Sequence, residues 1–345
     1  ERMIQAIGME LAMRKQEIIE PIETIYFGGG TPSIVSPSQI QLLLETIHTH
    51  YAVVQQPEIT LEANPDDITL LHAQQWKSIG INRFSIGIQS FSDIHLEWMN
   101  RAHTAAQSKE CIEIIRKAGF ENFSIDLIYG TPGQTIMDWE SDVQQTIGLK
   151  IPHLSCYALT VEEHTPLFHL IQRGKKEKVN SDLQAAQFNL LMTMAGGAGY
   201  EHYEISNLAL PGMKSKHNSS YWNGVSYLGV GPSAHSYHQT IRSWNISNNL
   251  SYMQSIEKHE RPFESETLSE IDQLNEYIMT NLRLEEGMHE QEMESRWGHQ
   301  LVSTISIRIE RHMQNGKVEK TESGWKLTNS GKFFADGIAA DLFQV

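Results

Sequence analysis

Five short apolar segments alternate with helix-patterned segments through the first half of the chain. We predict strands at residues 23–28, 57–65, 83–90, 123–130 and 153–161, since β-branched and apolar residues fill them and turn residues bound them. Strands that alternate with helices in this way predict a parallel α/β sheet or barrel. Residues 1–19 show helical spacing of apolar residues, so a helix precedes the first of these strands. We therefore expect a further strand before residue 1.

The second half of the chain has a different pattern. A short strand is predicted at 200–206, and residues 207–247, rich in Gly, Ser, Asn, His and aromatics, predict hairpins and ordered loops without helical periodicity. Helices are then predicted at 267–282, 290–297, 299–314 and 330–342, with two short strands before the last of them. This order predicts a small winged-helix-like domain. The predicted division is 1–200, 201–263 and 264–345.

Composition limits the classes of function. The 345 residues carry a net charge of −15, and the C-terminal segment is itself rich in Glu and Asp. We therefore expect no nucleic-acid partner, in spite of the winged-helix-like pattern. No apolar run approaches the length of a membrane span. Only Cys111 and Cys156 are present, which excludes a disulfide framework and favours a cytoplasmic protein.

A glycine-rich loop follows the first predicted strand. Gly28, Gly29, Gly30 and Thr31 stand between that strand and a helix that Ser36 and Pro37 are expected to open. Three glycines are costly in conformational entropy. They are explained either by a tight turn that needs positive φ or by a ligand that lies directly on the main chain. The loop alone leaves both explanations open.

Polar residues stand at the ends of successive predicted strands, where ligands bind in parallel α/β folds. They are Gly29, Gly30, Thr31, Glu62 and Gln89; the fourth strand carries Asp126 within an otherwise apolar run, and Arg101 lies in a turn after the third strand. Each carboxylate alone is more commonly a salt-bridge partner or a helix cap. Together the set favours one ligand site, for which a zwitterionic amino acid attached to a ribose is the best chemical match. A barrel hydrolase that uses Glu62 and Asp126 as its carboxylate pair is an alternative.

Six segments stand out along the chain: GGGTPS (28–33), EANP (62–65), RFSIGIQSF (83–91), DLIYGTPGQT (126–135), YEISN (203–207) and HNSSYW (217–222). In this order they resemble the radical S-adenosylmethionine (SAM) proteins, and more narrowly the branch that is similar to oxygen-independent coproporphyrinogen III oxidase. Within that branch they resemble the heme chaperone (HemW) family most, over essentially the whole chain.

The resemblance implies a partial (β/α)6 barrel. By it, Gly29, Gly30 and Thr31 hold the methionyl end of SAM, and the remaining contacts come from Glu62, Gln89, Arg101 and Asp126. It also implies a [4Fe–4S] cluster, which needs the thiolates of a CxxxCxxC segment. The two cysteines do not form one, and we expect both to be small buried residues. We expect the cluster ligands, like the missing strand, upstream of residue 1.

One segment bears on whether the protein is a heme chaperone or an oxidase. It is His217-Asn218-Ser219-Ser220-Tyr221-Trp222. Chaperone-like members carry HNxxYW, which makes His217 a candidate heme ligand and places Tyr221 and Trp222 beside it. The alternative is that His217 and Trp222 only order a loop. Ser219 stands where the family often has arginine, a possible propionate partner. For His235, in a glycine-rich setting, we favour a structural role.

The resemblance therefore predicts a heme chaperone that uses SAM and a cluster, with heme as cargo passed to an acceptor protein. The alternative is an oxidase that decarboxylates the propionates of a porphyrinogen by radical chemistry. Whether the protein is a monomer or a homodimer stays open.

Overall fold

Parallel strands and helices alternate along the first half of the chain in the computed structural model, which describes residues 1–344. The strands are β1 Ile22–Phe27, β2 Val53–Ala63, β3 Arg83–Gln89, β4 Phe123–Tyr129 and β5 His153–Ala158. The helices are α1 Arg2–Met13, α2 Pro37–His50, α3 Leu70–Ser78, α4 Asp93–Trp98, α5 Ala105–Lys117, α6 Ile136–Gly148, α7 Pro166–Gln172 and α8 Ser181–Gly197. The predicted α/β class is confirmed. The first helix ends at Met13 rather than at residue 19, and α7 was not predicted.

A hairpin completes the main sheet. Its strands are β6 Glu201–Glu204 and β7 Asn207–Ala209, and the order across the sheet is β1-β2-β3-β4-β5-β7-β6. Since β7 runs antiparallel to both β5 and β6, β6 has the direction of the first five strands. The seven strands form a curled half-barrel, which confirms the predicted partial barrel.

The two faces of the sheet differ in polarity, as the alternation of side chains along a strand allows. On the outer face, apolar side chains such as Leu61, Phe84 and Ile125 pack against the helices, together with Trp76 and Trp139, all fully buried. Each such side chain contributes about 1.5–3 kcal/mol of hydrophobic free energy. The opposite positions are largely polar and line the inside of the half-barrel; they include Thr24, Tyr26, Glu58, Thr60, Glu62, Arg83, Ser85, Ser124, Asp126 and Ser155.

The region after the half-barrel contains a helix where we predicted only hairpins and loops. It comprises α9 Lys216–Trp222, α10 Asn249–Ile256 and the antiparallel strands β8 His235–His238, β9 Ile241–Asn245 and β10 Phe263–Thr267. Helix α9 holds the HNSSYW segment, so the expected loop at that segment was wrong. With seven residues it is too short to show an apolar period, and contacts distant in sequence support its first turn.

A buried carboxylate on α1 forms hydrogen bonds to this region. The fully buried Glu10 accepts hydrogen bonds from the Arg14 guanidinium (2.9 Å), the Asn245 amide (2.8 Å), the Tyr252 hydroxyl (2.6 Å) and the Gly231 amide (2.9 Å). A buried charge is tolerated only when it is paired and hydrogen-bonded in this way. The network therefore fixes the β8–β10 sheet against the first helix.

The C-terminal segment forms a second apolar core, which includes Leu274, Ile278, Ile305 and Trp325. It contains α11 Glu270–Arg283, α12 Glu290–Trp297, α13 His299–Gln314, α14 Asn329–Lys332, α15 Ala335–Leu342 and the strands β11 Met288–His289, β12 Val318–Lys320 and β13 Gly324–Leu327. The predicted last helix is two helices. Strand β10 pairs with β9 and spans the predicted domain boundary between residues 263 and 264. The division into domains stays a proposal. Among residues 1–344 no helix is long and apolar enough to cross a membrane.

Candidate functional site at the open end of the half-barrel

The glycine loop after β1 has a backbone that only glycine adopts readily. Gly29 and Gly30 have φ of +79° and +122°, and a Cβ at either residue would meet no atom within 4 Å. At Gly28 a Cβ would lie 2.6 Å from the Tyr26 ring and 2.9 Å from Glu62 Oε1. The absence of a Cβ at Gly28 therefore lets the Tyr26 and Glu62 side chains approach closely, while Gly29 and Gly30 leave space beside their backbone for a ligand. Thr31 is half-buried beside them.

Glu62 at the end of β2 is bonded to this loop. Its carboxylate accepts a hydrogen bond from the Tyr26 hydroxyl (2.8 Å) and one from the Gly29 amide (3.2 Å). The side chain is only half-buried, so one carboxylate with two fixed donors faces the open end of the half-barrel. Such a carboxylate can accept a further hydrogen bond from an ammonium group or a hydroxyl.

Asp126 on β4 is a second carboxylate on the inner face. Burial and the Glu62 charge raise the pKa of Asp126 to about 7, although Ser155, Arg83 and Ser85 oppose the shift. Its Oδ1 accepts a long hydrogen bond from Ser85 Oγ (3.4 Å). The carboxyl therefore ionises at a higher pH than an ordinary aspartate, and a bound cation would favour the ionised form.

Gln89 and Arg101 lie together at the end of β3. Gln89 has φ of +66°, a conformation that non-glycine residues seldom adopt, and its amide lies over Gly87. The Arg101 guanidinium donates to Asn64 Oδ1 (2.6 Å) and to the Gly87 carbonyl (3.3 Å). Among residues 1–344 Arg101 forms no ion pair, so its charge is available to a carboxylate ligand.

The predicted residues therefore lie on adjacent strands at one edge. Gly29, Glu62 and Asp126 present acceptors and a glycine backbone. Gln89, the last residue of β3, and Arg101, which donates to Asn64 and Gly87, present donors. This arrangement can bind an ammonium, a carboxylate and hydroxyl groups at once.

The two cysteines do not contribute to this edge. Cys111 lies in α5 and Cys156 in β5, and both are buried, as predicted. Burial raises the pKa of the Cys111 thiol to about 12, so neither geometry nor ionisation suits a cluster ligand. Within residues 1–344 no group of three His, Cys, Asp or Glu side chains could hold a metal ion.

His217 on α9 contacts the same inner face closer to the start of β1. Its Nδ1 lies 2.8 Å from Thr24 Oγ1, its Nε2 lies 3.2 Å from the Tyr221 hydroxyl, and its ring stacks on Tyr26 with centroids 4.6 Å apart. Desolvation lowers the pKa of His217 to about 4, so the imidazole is neutral at physiological pH. Tyr26 therefore touches both candidate regions, since its hydroxyl reaches Glu62.

The three residues predicted from HNSSYW do not share one surface. His217 and Tyr221 are in contact, but Trp222 lies under the Arg283 guanidinium of α11, 5.3 Å from its ring centroid. His217 and Trp222 are five residues apart in the helix, so their side chains point about 140° apart around the helix axis. His235 is exposed and lies against Trp244, with ring centroids 5.8 Å apart.

Glu58 on β2 holds α9 in place, which the sequence did not reveal. This buried carboxylate accepts from the backbone amides of Lys216 (3.2 Å) and His217 (3.0 Å), and from Ser215 Oγ (3.4 Å). The Arg83 guanidinium lies 3.7 Å away. Glu58 thus satisfies the free N–H groups of the first turn of the helix.

Known proteins place the chain in a family. A profile of the radical SAM superfamily matches residues 6–145, and a profile of the HemN C-terminal domain matches residues 268–334. The heme chaperone HemW of Lactococcus lactis is 34% identical over 330 residues, which cover 93% of this chain and 86% of that protein. This chain belongs to the HemW family of radical SAM proteins.

Other comparisons agree with membership of the HemW family. The heme chaperone HemW of Bacillus subtilis is 31% identical and covers 97% of this chain and 91% of that protein. The solved structure of the radical SAM enzyme coproporphyrinogen III oxidase (HemN) from Escherichia coli superposes with a TM-score of 0.84 at 20% identity, over 99% of this chain and 82% of that one. The last comparison shows a shared fold.

Sequence reasoning missed Thr24, Tyr26, Glu58 and Arg83 at the inner face. A signal for them was present, because Glu58, Thr60 and Glu62 alternate with apolar residues in a strand that lies inside a parallel sheet. Such strands are normally apolar on both faces. Polar residues at every second position therefore indicate an inner face that contacts a ligand or another secondary-structure element. In this protein α9 packs against that face.

Proposed function

We propose that this member of the HemW family binds heme through His217 and binds SAM at the open end of the half-barrel. The observation that carries the first part is the position of His217, a neutral imidazole fixed to the inner face by Thr24 and Tyr26. Neutral imidazole is the form that ligates iron. The name that the relatives bear, heme chaperone, agrees with heme as cargo.

The residues at the open end fit SAM. Gly29 and Gly30 leave room beside their backbone, as a group lying on the main chain requires. In the proposal, Glu62 accepts from the ammonium group, Arg101 pairs with the carboxylate, and the polar atoms of Thr31, Gln89 and Asp126 complete the amino-acid and ribose contacts. With an iron–sulfur cluster, SAM supplies radical chemistry. The 345 residues contain two cysteines, both buried, and so do not hold the three thiolates that such a cluster needs.

The chaperone assignment is preferred to the oxidase. The relatives at 31–34% identity that span nearly the whole chain carry the chaperone name, whereas the likeness to coproporphyrinogen III oxidase rests on fold at 20% identity. We retain a cytoplasmic location and delivery to an acceptor protein as parts of the proposal.

The test is a heme titration of the His217→Ala protein, followed by the Soret absorbance. We expect the parent to bind one heme and the variant to lose at least about tenfold in affinity, since ligand deletion removes a metal bond. The matched control is His48→Ala, on the exposed side of α2, which should bind heme like the parent. Equal heme binding by His217→Ala and the parent would remove His217 from the site.

The pKa of Asp126 predicts a pH dependence of SAM binding. SAM carries net positive charge and favours ionised Asp126, so a proton must leave whenever the pH is below about 7. The apparent affinity should therefore fall as pH drops from about 8 to 6, by at most tenfold per pH unit below the pKa. Asp126→Asn should flatten this profile and Asp182→Asn, an exposed control on α8, should not. An unchanged profile in Asp126→Asn would contradict the assignment.

A further inference from the structure

The His217 imidazole is enclosed on three sides. Nδ1 faces Thr24 of β1 at 2.8 Å, one ring face lies on Tyr26 with the planes 15° apart, and Nε2 faces the Tyr221 hydroxyl at 3.2 Å. The first two neighbours belong to β1, which is paired with β2 in the main sheet. Only the third belongs to the same short helix as His217 itself.

The Thr24 and Tyr221 hydroxyls can each donate or accept, so two tautomers of His217 fit the two contacts. In the tautomer that presents a lone pair at Nε2, Tyr221 donates to Nε2 and the Nδ1 proton is donated to Thr24 Oγ1. A ring held in this way directs the Nε2 lone pair towards Tyr221. In metal sites a hydrogen bond on the second ring nitrogen fixes the tautomer and the orientation of a ligating histidine.

The Tyr221 side chain has space to rotate away from His217. Its side chain is 44% exposed, and in residues 1–344 its hydroxyl bonds only to His217. Its ring also packs edge-on against Tyr227, with centroids 4.7 Å apart. A rotation of the Tyr221 side chain therefore breaks one neutral hydrogen bond, disturbs the edge contacts with His217 and Tyr227, and uncovers Nε2 without moving the strand.

We propose that Thr24 orients His217 so that Nε2 alone can ligate heme iron, and that the Tyr221 hydroxyl covers this atom until heme displaces it. The proposal rests on heme binding by His217 and adds two positioning residues to it. A cover of this kind keeps the ligand atom hydrogen-bonded within the protein when heme is absent. It also lowers the apparent affinity, because binding must first break the cover.

The test compares heme affinities of three variants. Tyr221→Phe keeps the ring and removes the hydroxyl, so heme should bind about 2- to 12-fold tighter, the factor that corresponds to one neutral hydrogen bond. Thr24→Val keeps the shape and removes the partner of Nδ1, so heme should bind about tenfold more weakly. Thr24→Ser retains a hydroxyl and should restore binding, which a purely steric role of Thr24 would not predict. Urea unfolding of each heme-free variant shows whether it is folded.

The outcomes separate this inference from the proposed function. If His217→Ala binds heme as the parent does, the proposed function fails. If His217→Ala loses heme while Tyr221→Phe binds it equally or more weakly, the cover is overturned and the function stands. The orienting role is overturned if the Thr24→Val protein is folded, binds heme through His217 and has the same heme affinity as the parent. The visible spectrum supplies a second readout, since loss of orientation should change the Soret position in Thr24→Val but not in Thr24→Ser.

Discussion

Glu62→Gln is expected to weaken SAM binding by a factor of about ten or more. The carboxylate is fixed by the Tyr26 hydroxyl and the Gly29 amide, so it is oriented before a ligand arrives. Glutamine keeps the shape but loses the charge, and a charge-assisted hydrogen bond to an ammonium contributes about 1.5–3 kcal/mol. The measurement is a calorimetric titration with SAM at constant pH and salt.

A matched variant separates this effect from a general loss of charge. Glu45→Gln, on the exposed face of α2, makes the same chemical change away from the site and should bind SAM like the parent. Heme binding by Glu62→Gln should persist, because His217 keeps its contacts with Thr24 and Tyr221. Unchanged SAM affinity in Glu62→Gln would contradict the assignment of this edge.

Glu58→Ala should be the most destabilising single change at the inner face, by about 3–5 kcal/mol in the free energy of unfolding. Glu58 and Arg83 are 5% and 2% exposed, so the variant leaves a buried guanidinium without its counter-charge. It also leaves the Lys216 and His217 amides without their acceptor. Urea unfolding followed by circular dichroism gives the difference.

The control for this change is Glu23→Ala, an exposed glutamate on β1, for which a change within about 0.5 kcal/mol is expected. Heme binding provides a second check, since α9 should lose its position in Glu58→Ala. A variant as stable as the parent would mean that water or another group satisfies Arg83 and the helix end.

The alternation of strands and helices was predictable because it depends on local patterns. Apolar periodicity and capping residues such as Ser36, Thr104 and Thr135, each of which forms a capping box, act within a few positions in sequence. The helix at 216–222 was not predictable in this way. Its support is a carboxylate from β2, more than 150 residues earlier in the chain.

The residues at the strand ends were predictable for a related reason. Parallel strands bring their carboxyl ends to one edge, so Gly29, Glu62 and Gln89 had to lie at the same edge once the topology was known. Asp126 lies at the centre of β4, on the inner face. Arg101 lies outside the strands, and only its bonds to Asn64 and Gly87 show that it reaches this edge.

The sequence by itself therefore determined the α/β class, the family resemblance and the polar edge, because periodicity, short segments and strand direction suffice for these. The tertiary structure alone decided which residues meet across the half-barrel. It placed Tyr26 between Glu62 and His217, put Trp222 against Arg283 instead, and raised the pKa of Asp126 to about 7. These outcomes depend on burial and on contacts between distant segments, which no local pattern encodes.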